Sequence, residues 1–274
     1  MSEPKAERVA KLIARAGLCS RREAERLIDQ GRVAVDGEPV DTPSLTLDDP
    51  GRITVDGERL PAPEPTRLFR YHKPRGVLVA ERDPHSRPTI YDRLPQSLPR
   101  LMPVGRLDVN SEGLLLLTND GELKRRLELP ATGWIRRYRV RVFGEVDETA
   151  LASLNAGITV EGVRYGPIEA RLDQRTGSNA WLTVALREGK NREVRRVMEH
   201  LGLKVSRLLR VAYGPFQLGA MRPDQVSEIA PKVLAEQLGT KPPGATGTGT
   251  AKPKSQPPKS QSRSKHNANR RRTP

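Results

Sequence analysis

The sequence contains a single cysteine, Cys19, so no disulfide can close within the chain and a reducing compartment is implied. Its four histidines are His72, His85, His200 and His266. No two of them stand at the spacing of metal ligands, which argues against a structural zinc or any other metal site. No apolar run approaches the length that spans a bilayer. The first residues, Met1 to Arg8, are polar and charged, without the apolar stretch of a secretory signal. A cytoplasmic protein that stays off membranes is therefore expected. Nucleotide-binding signatures are missing too. There is no G-x-G-x-x-G, and Gly189-Lys190 lacks the glycine spacing and following hydroxyl of a phosphate loop.

What the chain has in excess is positive charge. Its 274 residues carry a formal net charge of +15. Nine of the positive residues lie between Lys241 and Arg272 with no acid among them, and without them the remainder still stands at +6. Both parts point to a polyanionic partner.

Composition divides the chain into three. A compact first segment, residues 1–66, ends in the stiff connector Pro61-Ala62-Pro63-Glu64-Pro65. Residues 67–238 hold most of the aliphatic runs. Residues 239–274 are rich in Lys, Pro, Gly, Ser, Thr and Gln. Too little apolar surface remains there to offset the entropy of ordering, so a disordered basic tail is expected, adding salt-sensitive affinity for the polyanion.

In the first segment Val9, Leu12, Ile13 and Ala16 repeat at helical spacing and Gly17 stops the helix. Ser20-Arg21-Arg22-Glu23 has the form of a capping box. Ala24, Leu27 and Ile28 supply the apolar face of the second helix. Val33 and Val35 then alternate into Asp36-Gly37, and Ile53 to Glu58 repeats that hairpin pattern around Asp56-Gly57. The capping box places Arg21 and Arg22 in a first helical turn, where positive charge opposes the helix dipole. A phosphate neighbour resolves that conflict; two solvated arginines are the plainer alternative. Residues 8–40, through Gly17-Leu18-Cys19-Ser20-Arg21-Arg22-Glu23-Ala24 and Gly31-Arg32-Val33-Ala34-Val35-Asp36-Gly37, resemble the S4 RNA-binding module. That resemblance implies contact with structured RNA through the second helix.

In the second segment Leu68 to Tyr71 reads as a strand, His72 to Gly76 as a turn and Val77 to Val79 as a second strand. Farther on, Val104-Gly105-Arg106-Leu107-Asp108-Val109-Asn110-Ser111-Glu112-Gly113 precedes Leu114-Leu115-Leu116-Leu117-Thr118 and an Asn119-Asp120-Gly121 turn. Four leucines in a row bounded by turns read as a strand buried on both faces. A loop packed against such a strand is held rigidly, which suits a reacting group. Asp108 is the candidate; on composition alone it is an ordinary turn residue.

The run from Gly105 to Asn119 resembles the signature of the RsuA/RluB-type pseudouridine synthases. Further segments agree in order: Lys73-Pro74-Arg75-Gly76, Arg137 to Val140, Glu188 to Arg196, Arg207 to Val211, and Tyr213-Gly214-Pro215. His72 departs from the pattern, which has Asn there. The resemblance spans residues 5–235. It implies an α+β fold: a small N-terminal S4 module joined to a catalytic domain with a mixed, mostly antiparallel sheet and flanking helices. It implies isomerisation of one uridine of bacterial ribosomal RNA to pseudouridine. Asp108 would attack or deprotonate the ribose, Tyr138 would stack on the base, and Arg195, or the adjacent Arg196, would pair with Asp108. Arg106 would fill the gap left by the displaced nucleotide.

Isomerisation gains and loses no atoms, so no metal, redox group or other cofactor is required. Lys73, Lys190, Arg192 and Arg196 complete the expected RNA contacts, with Arg192, Arg195, Arg196 and His200 on one helical face and Val194, Val197 and Leu201 on another. That basic face either lines RNA or is merely solvated. The expected partner is ribosomal RNA or a pre-ribosomal particle, met by a monomer. The large subunit is favoured over the small. The rival of another class is a noncatalytic ribosome-assembly factor using the S4 module.

Overall fold

The structure, a computed structural model, describes residues 6–239. The expected basic tail lies outside the described residues from 240 onward.

The N-terminal part is built from β1 (Glu7–Arg8), α1 (Val9–Arg15), α2 (Arg21–Asp29), β2 (Val33–Val35), β3 (Glu38–Pro39), β4 (Thr46–Leu47), β5 (Ile53–Val55) and β6 (Glu58–Arg59). The Ser20 hydroxyl accepts from Glu23 N at 3.2 Å, so the capping box forms. Asp36 and Gly37, like Asp56 and Gly57, take positive φ. That is the conformation two-residue hairpin turns need, and it joins β2–β3 and β5–β6. Val9, Leu12, Ile13, Ala24, Leu27 and Ile28 bury against Val33, Ile53 and Val55 in a core of their own.

After the proline-rich connector come β7 (Leu68–Lys73), β8 (Met102–Val104), β9 (Glu112–Thr118), α3 (Gly121–Glu128), β10 (Arg136–Phe143), α4 (Glu148–Ser153), β11 (Ile158–Val160) and β12 (Val163–Tyr165). β13 (Ile168–Thr176), β14 (Asn179–Leu186), α5 (Glu193–His200), β15 (Lys204–Tyr213), β16 (Phe216–Gln217), β17 (Val226–Glu228) and α6 (Pro231–Leu238) complete it. Nine strands form one sheet with the path β13-β14-β10-β15-β9-β7-β17; β16 joins β15 and β8 joins β9. Only β9 and β15 run parallel; the other pairs are antiparallel. The mixed, mostly antiparallel sheet is as expected.

β9 lies deep in this sheet. Leu114, Leu115, Leu116 and Leu117 are each at most 1% exposed. By alternation, Leu115 and Leu117 enter one core with Tyr138, Val140 and Val197, while Leu114 and Leu116 enter another with Leu123, Leu127 and Leu234. Each buried leucine contributes on the order of 2 kcal/mol. The strand is thereby fixed from both faces.

Three local expectations need correction. His72 and Lys73 belong to β7 rather than to a turn, because their backbone pairs with Leu114 and Gly113 of β9. Val77 to Val79 is no strand but one isolated bridge, Leu78 to Thr89; the adjacent Pro88 has no N–H with which to extend the ladder. Asp120 does not form a turn but caps α3, accepting from Glu122 N and Leu123 N.

Gly113 shows how closely β9 meets β15. Its φ is +104°, and a Cβ there would lie 2.3 Å from Arg210 O and 2.8 Å from Arg210 N. Gly113→Ala is expected to lower stability by roughly 2 kcal/mol or more, read as a fall in the denaturation midpoint; an unchanged midpoint contradicts this packing.

Candidate active site

The loop of residues 105–111 connects β8 to β9. Four consecutive carbonyls at its end are held by the body of the protein. Lys73 Nζ donates to Asp108 O at 3.2 Å and to Ser111 O at 2.9 Å, and also to Pro74 O at 2.9 Å. Gly76 N donates to Val109 O at 2.7 Å. Arg195 Nη2 donates to Asn110 O at 2.9 Å, while its Nη1 reaches Val205 O at 3.3 Å. The start of the loop is fixed as well: Gly105 N donates to Glu128 Oε1 at 2.6 Å.

The backbone is thus immobilised while the Asp108 side chain remains uncommitted. Asp108 is half-buried, and its carboxylate has no hydrogen bond or ion pair among the described residues. Both Lys73 and Arg195 feel its charge. Burial draws the Lys73 ammonium down to about 8, with Arg210 adding to the effect and Asp108 and Glu112 opposing it. Burial likewise lowers Arg195, with Arg192 adding to the effect and Asp108 opposing it.

Asp108 opens onto a cavity of about 310 Å³ that it shares with Arg106, Tyr138, Lys190 and Arg192. Tyr138 faces inward from β10, is 8% exposed, and belongs to the main core, so the ring is held by packing. Arg192 precedes α5 at φ +51°, a strained conformation for a side chain of its size. Arg106, Lys190 and Arg192 are exposed. An aromatic ring, a free carboxylate and exposed cations around one hole can hold an extruded, negatively charged nucleotide.

Other sequence expectations meet a different geometry. Lys73 is 0% exposed and so touches no RNA; its three carbonyl acceptors make it an internal brace. Arg195 is 7% exposed and donates to backbone rather than forming an ion pair with Asp108. It lies with Val194 and Val197 on the buried side of α5, not on a solvated basic face. Arg196 is half-buried and does not line the cavity. Arg21 and Arg22 are exposed on α2; Arg21 lines a second groove of about 600 Å³, where α1 and α2 face the start of α3.

The sequence reading missed several polar residues of the cavity, among them Ser111, Glu128, Arg136, Glu193 and Arg210. Arg210 is 3% exposed, donates from Nε to Leu114 O at 2.7 Å, and lies over the Tyr213 ring at 5.2 Å. Glu193 is 3% exposed; Oε2 accepts from Lys190 N at 2.8 Å, and Oε1 has no partner. Burial, reinforced by Glu188 against the Lys190 hydrogen bond, pushes its carboxyl up to about 7. Alternation could have flagged Arg210, an arginine at a buried register of β15 beside Leu208. No local pattern marks Glu128 as the partner of Gly105.

Comparison with known proteins places these features in context. Residues 67–200 match the family model described as RNA pseudouridylate synthase, and residues 7–51 match the S4 domain. An uncharacterized RNA pseudouridine synthase of Rickettsia bellii is 48% identical over 227 residues, covering 83% of this chain and 98% of the relative. Ribosomal large subunit pseudouridine synthase B of Salmonella typhimurium is 44% identical over 220 residues, covering 77% of this chain and 75% of the relative. A crystal structure of a pseudouridylate synthase aligns with a TM-score of 0.59 at 29% identity, over 84% of this chain and 99% of that one.

Two substitutions test the geometry. Lys73→Met removes the donor from Pro74 O and Ser111 O and leaves Asp108 O with Ser111 N alone, each lost bond costing about 1–3 kcal/mol. A lower denaturation midpoint and a turnover number reduced at least tenfold or so are expected; wild-type turnover contradicts the brace. Glu193 titrates near 7 rather than its ordinary 4.5, so its contribution to stability is fully present below about pH 4.5 and is lost as pH rises through about 7. Glu193→Gln should therefore melt roughly 2–4 °C above the parent at pH 8 and converge with it toward pH 4.5. Parallel melting curves across that range contradict the assignment.

Proposed function

The chain belongs to the RNA pseudouridylate synthase family, and from that premise we propose that it isomerises one uridine of bacterial ribosomal RNA, with Asp108 as its catalytic carboxylate. The observation that carries this reading is the Asp108 side chain itself. Among the described residues it has no hydrogen bond or ion pair, and it stands on a loop whose backbone is bonded at four successive carbonyls, beside a buried tyrosine ring.

The reaction breaks the bond from C1′ to N1, turns the base within the site, and joins C1′ to C5. C5 loses a proton and N1 gains one, so the atoms balance without a co-reactant. Asp108 acts either on C1′ as a nucleophile or on the ribose as a base; both roles need an ionised group at fixed distance. Lys73 and Arg195 stand behind the loop, where both feel the charge of Asp108. A uridine within stacked RNA is out of reach, so the nucleotide is extruded onto Tyr138. Arg106, exposed at the mouth, occupies the place it leaves, and Lys190 and Arg192 meet the flanking phosphates. Arg196, half-buried behind them on α5, is a weaker candidate for the same task.

Residues 1–66 serve as the RNA-binding module, with Arg21 and Arg22 at the start of α2 meeting phosphate, and residues 67–238 as the catalytic domain. The Salmonella relative acts, by its name, on the large ribosomal subunit; that supports a large-subunit target here over a small-subunit one. A noncatalytic assembly factor would have no use for a carboxylate kept free at the wall of a pocket.

Asp108→Asn is expected to reduce tritium release from rRNA carrying 5-tritiated uridine by roughly 10⁴-fold or more while RNA affinity stays as in the parent. Normal release by this variant removes the catalytic assignment. Mapping pseudouridine in rRNA from cells with and without the gene should show one site missing from the large-subunit RNA; a missing small-subunit site overturns the choice of subunit alone.

A further inference from the structure

The cavity uses one face of β10, and the opposite face has no assigned role. Alternation along β10 directs Tyr138, Val140 and Val142 inward, while Arg137, Arg139, Arg141 and Phe143 are exposed on the other side. Neither α4 nor α5 covers that side: their apolar residues pack into the same core as Tyr138.

Three features set this outer face apart from an ordinary solvated sheet. First, its arginines are not neutralised. None of Arg137, Arg139 and Arg141 has an ion pair or a hydrogen-bonded acceptor for its side chain among the described residues. Of the acids close by, Asp173 is engaged with Arg171 and Thr183, and Glu112 with Arg207; Glu169, across Ala185 from Arg137, lines the Arg137 end of the face, which leaves Arg139 and Arg141 as its uncompensated centre. Second, like charges stand directly opposite one another, since Arg141 is in register with Arg207 on β15. Such a cross-strand pair is destabilising by a few tenths of a kcal/mol or more in the free protein. Third, aromatic surface is interleaved with the charge. Arg139 lies over the Trp181 ring at 4.8 Å, and Phe143 is 52% exposed at the end of the same row.

We propose that this outer face of β10, β14 and β15 is a second RNA-binding surface, which takes a single-stranded segment of the substrate RNA away from the target uridine. Arginines at alternate positions of a strand stand about 7 Å apart, comparable with the phosphate repeat of an extended strand. Cations that track a backbone, beside aromatic rings on which bases stack, form the usual platform for single strands read without sequence preference. The occupant cannot be the chain's own C-terminal segment, because residues 241–274 carry nine positive charges and no acid and are repelled by the same field. RNA is the polyanion that the family's activity supplies. The target nucleotide itself enters on the Tyr138 side, so this surface holds other nucleotides, and its contribution is affinity rather than turnover.

The test uses the full-length chain with Arg139→Gln and Arg141→Gln together, residues outside the catalytic cavity. Affinity for a fluorescein-labelled 30-mer of oligouridylate is measured across a salt series, and tritium release is measured on protein-free rRNA from cells lacking the enzyme. Losing two phosphate contacts should take about 1.4 off the slope of log affinity against log salt. KM for rRNA should rise about tenfold, equivalent to about 1.4 kcal/mol, with kcat and the melting temperature unchanged. In the parent, photocrosslinks from a 4-thiouridine-containing 30-mer should include residues 139–143 or Trp181. An unchanged salt slope and KM overturn the proposal, as do crosslinks confined to α2 and the cavity. A fall in kcat with KM retained also overturns it, because the face would then serve the catalytic machinery. None of these outcomes depends on Asp108 being the reacting group.

Discussion

Four adjacent carbonyl oxygens, from Asp108 to Ser111, are bonded to donors that come from three places in the chain. Lys73 and Gly76 come from the end of β7 and the turn beyond it, and Arg195 from α5. A loop of ordinary turn-forming residues would sample many conformations if its carbonyls faced water. Here each has a donor on the sheet, on a packed helix or in the turn that follows β7, so the loop inherits the rigidity of the core. The arrangement needs Gly113 to let β9 approach β15 closely, and four leucines to hold β9 between two cores.

The same bonds decide the electrostatics. Buried cations commonly neutralise buried carboxylates, but Lys73 and Arg195 spend their hydrogen bonds on backbone oxygens and act on Asp108 only through space. The carboxylate gains a favourable field without being tied up in an ion pair, so it remains available to a ligand. The cost falls on the cations: burial lowers both, and they persist because carbonyl dipoles stand in for water. The cavity wall also carries two acids beside Asp108. Glu128 fixes the start of the loop, and Glu193, with its raised carboxyl, holds the backbone of Lys190. Carboxyls here order the wall, while Arg106, Lys190 and Arg192 stand exposed along it.

Much of this was legible in the amino-acid order. The capping box at Ser20, the Asp-Gly hairpins and the doubly buried leucine strand follow from local rules, and each is present in the structure. The gathering of Arg106, Asp108, Tyr138, Lys190 and Arg192 around one cavity was reached through resemblance, since no periodicity brings positions 108, 138 and 190 together. What failed was side-chain direction. Lys73 reads as a surface cation because lysine usually is one, yet its register on β7 points it beneath the loop. Arg195 reads as part of a basic stripe, but helical spacing alone could not say that its face of α5 lies against β15. Glu128 and Arg210 matter only through partners far away in sequence, which a local pattern cannot reveal.

The central claim is that a rigid loop presents an uncommitted carboxylate to an extruded uridine. The most direct measurement is a crystal structure of the chain bound to RNA carrying 5-fluorouridine at the modified position. In that complex this nucleotide should lie outside the RNA stack, against the Tyr138 ring, with its ribose at the Asp108 carboxylate and the loop unmoved from its four carbonyl bonds. A nucleotide left stacked in the RNA, or a loop that has abandoned Lys73 and Arg195 to reach it, would contradict the account.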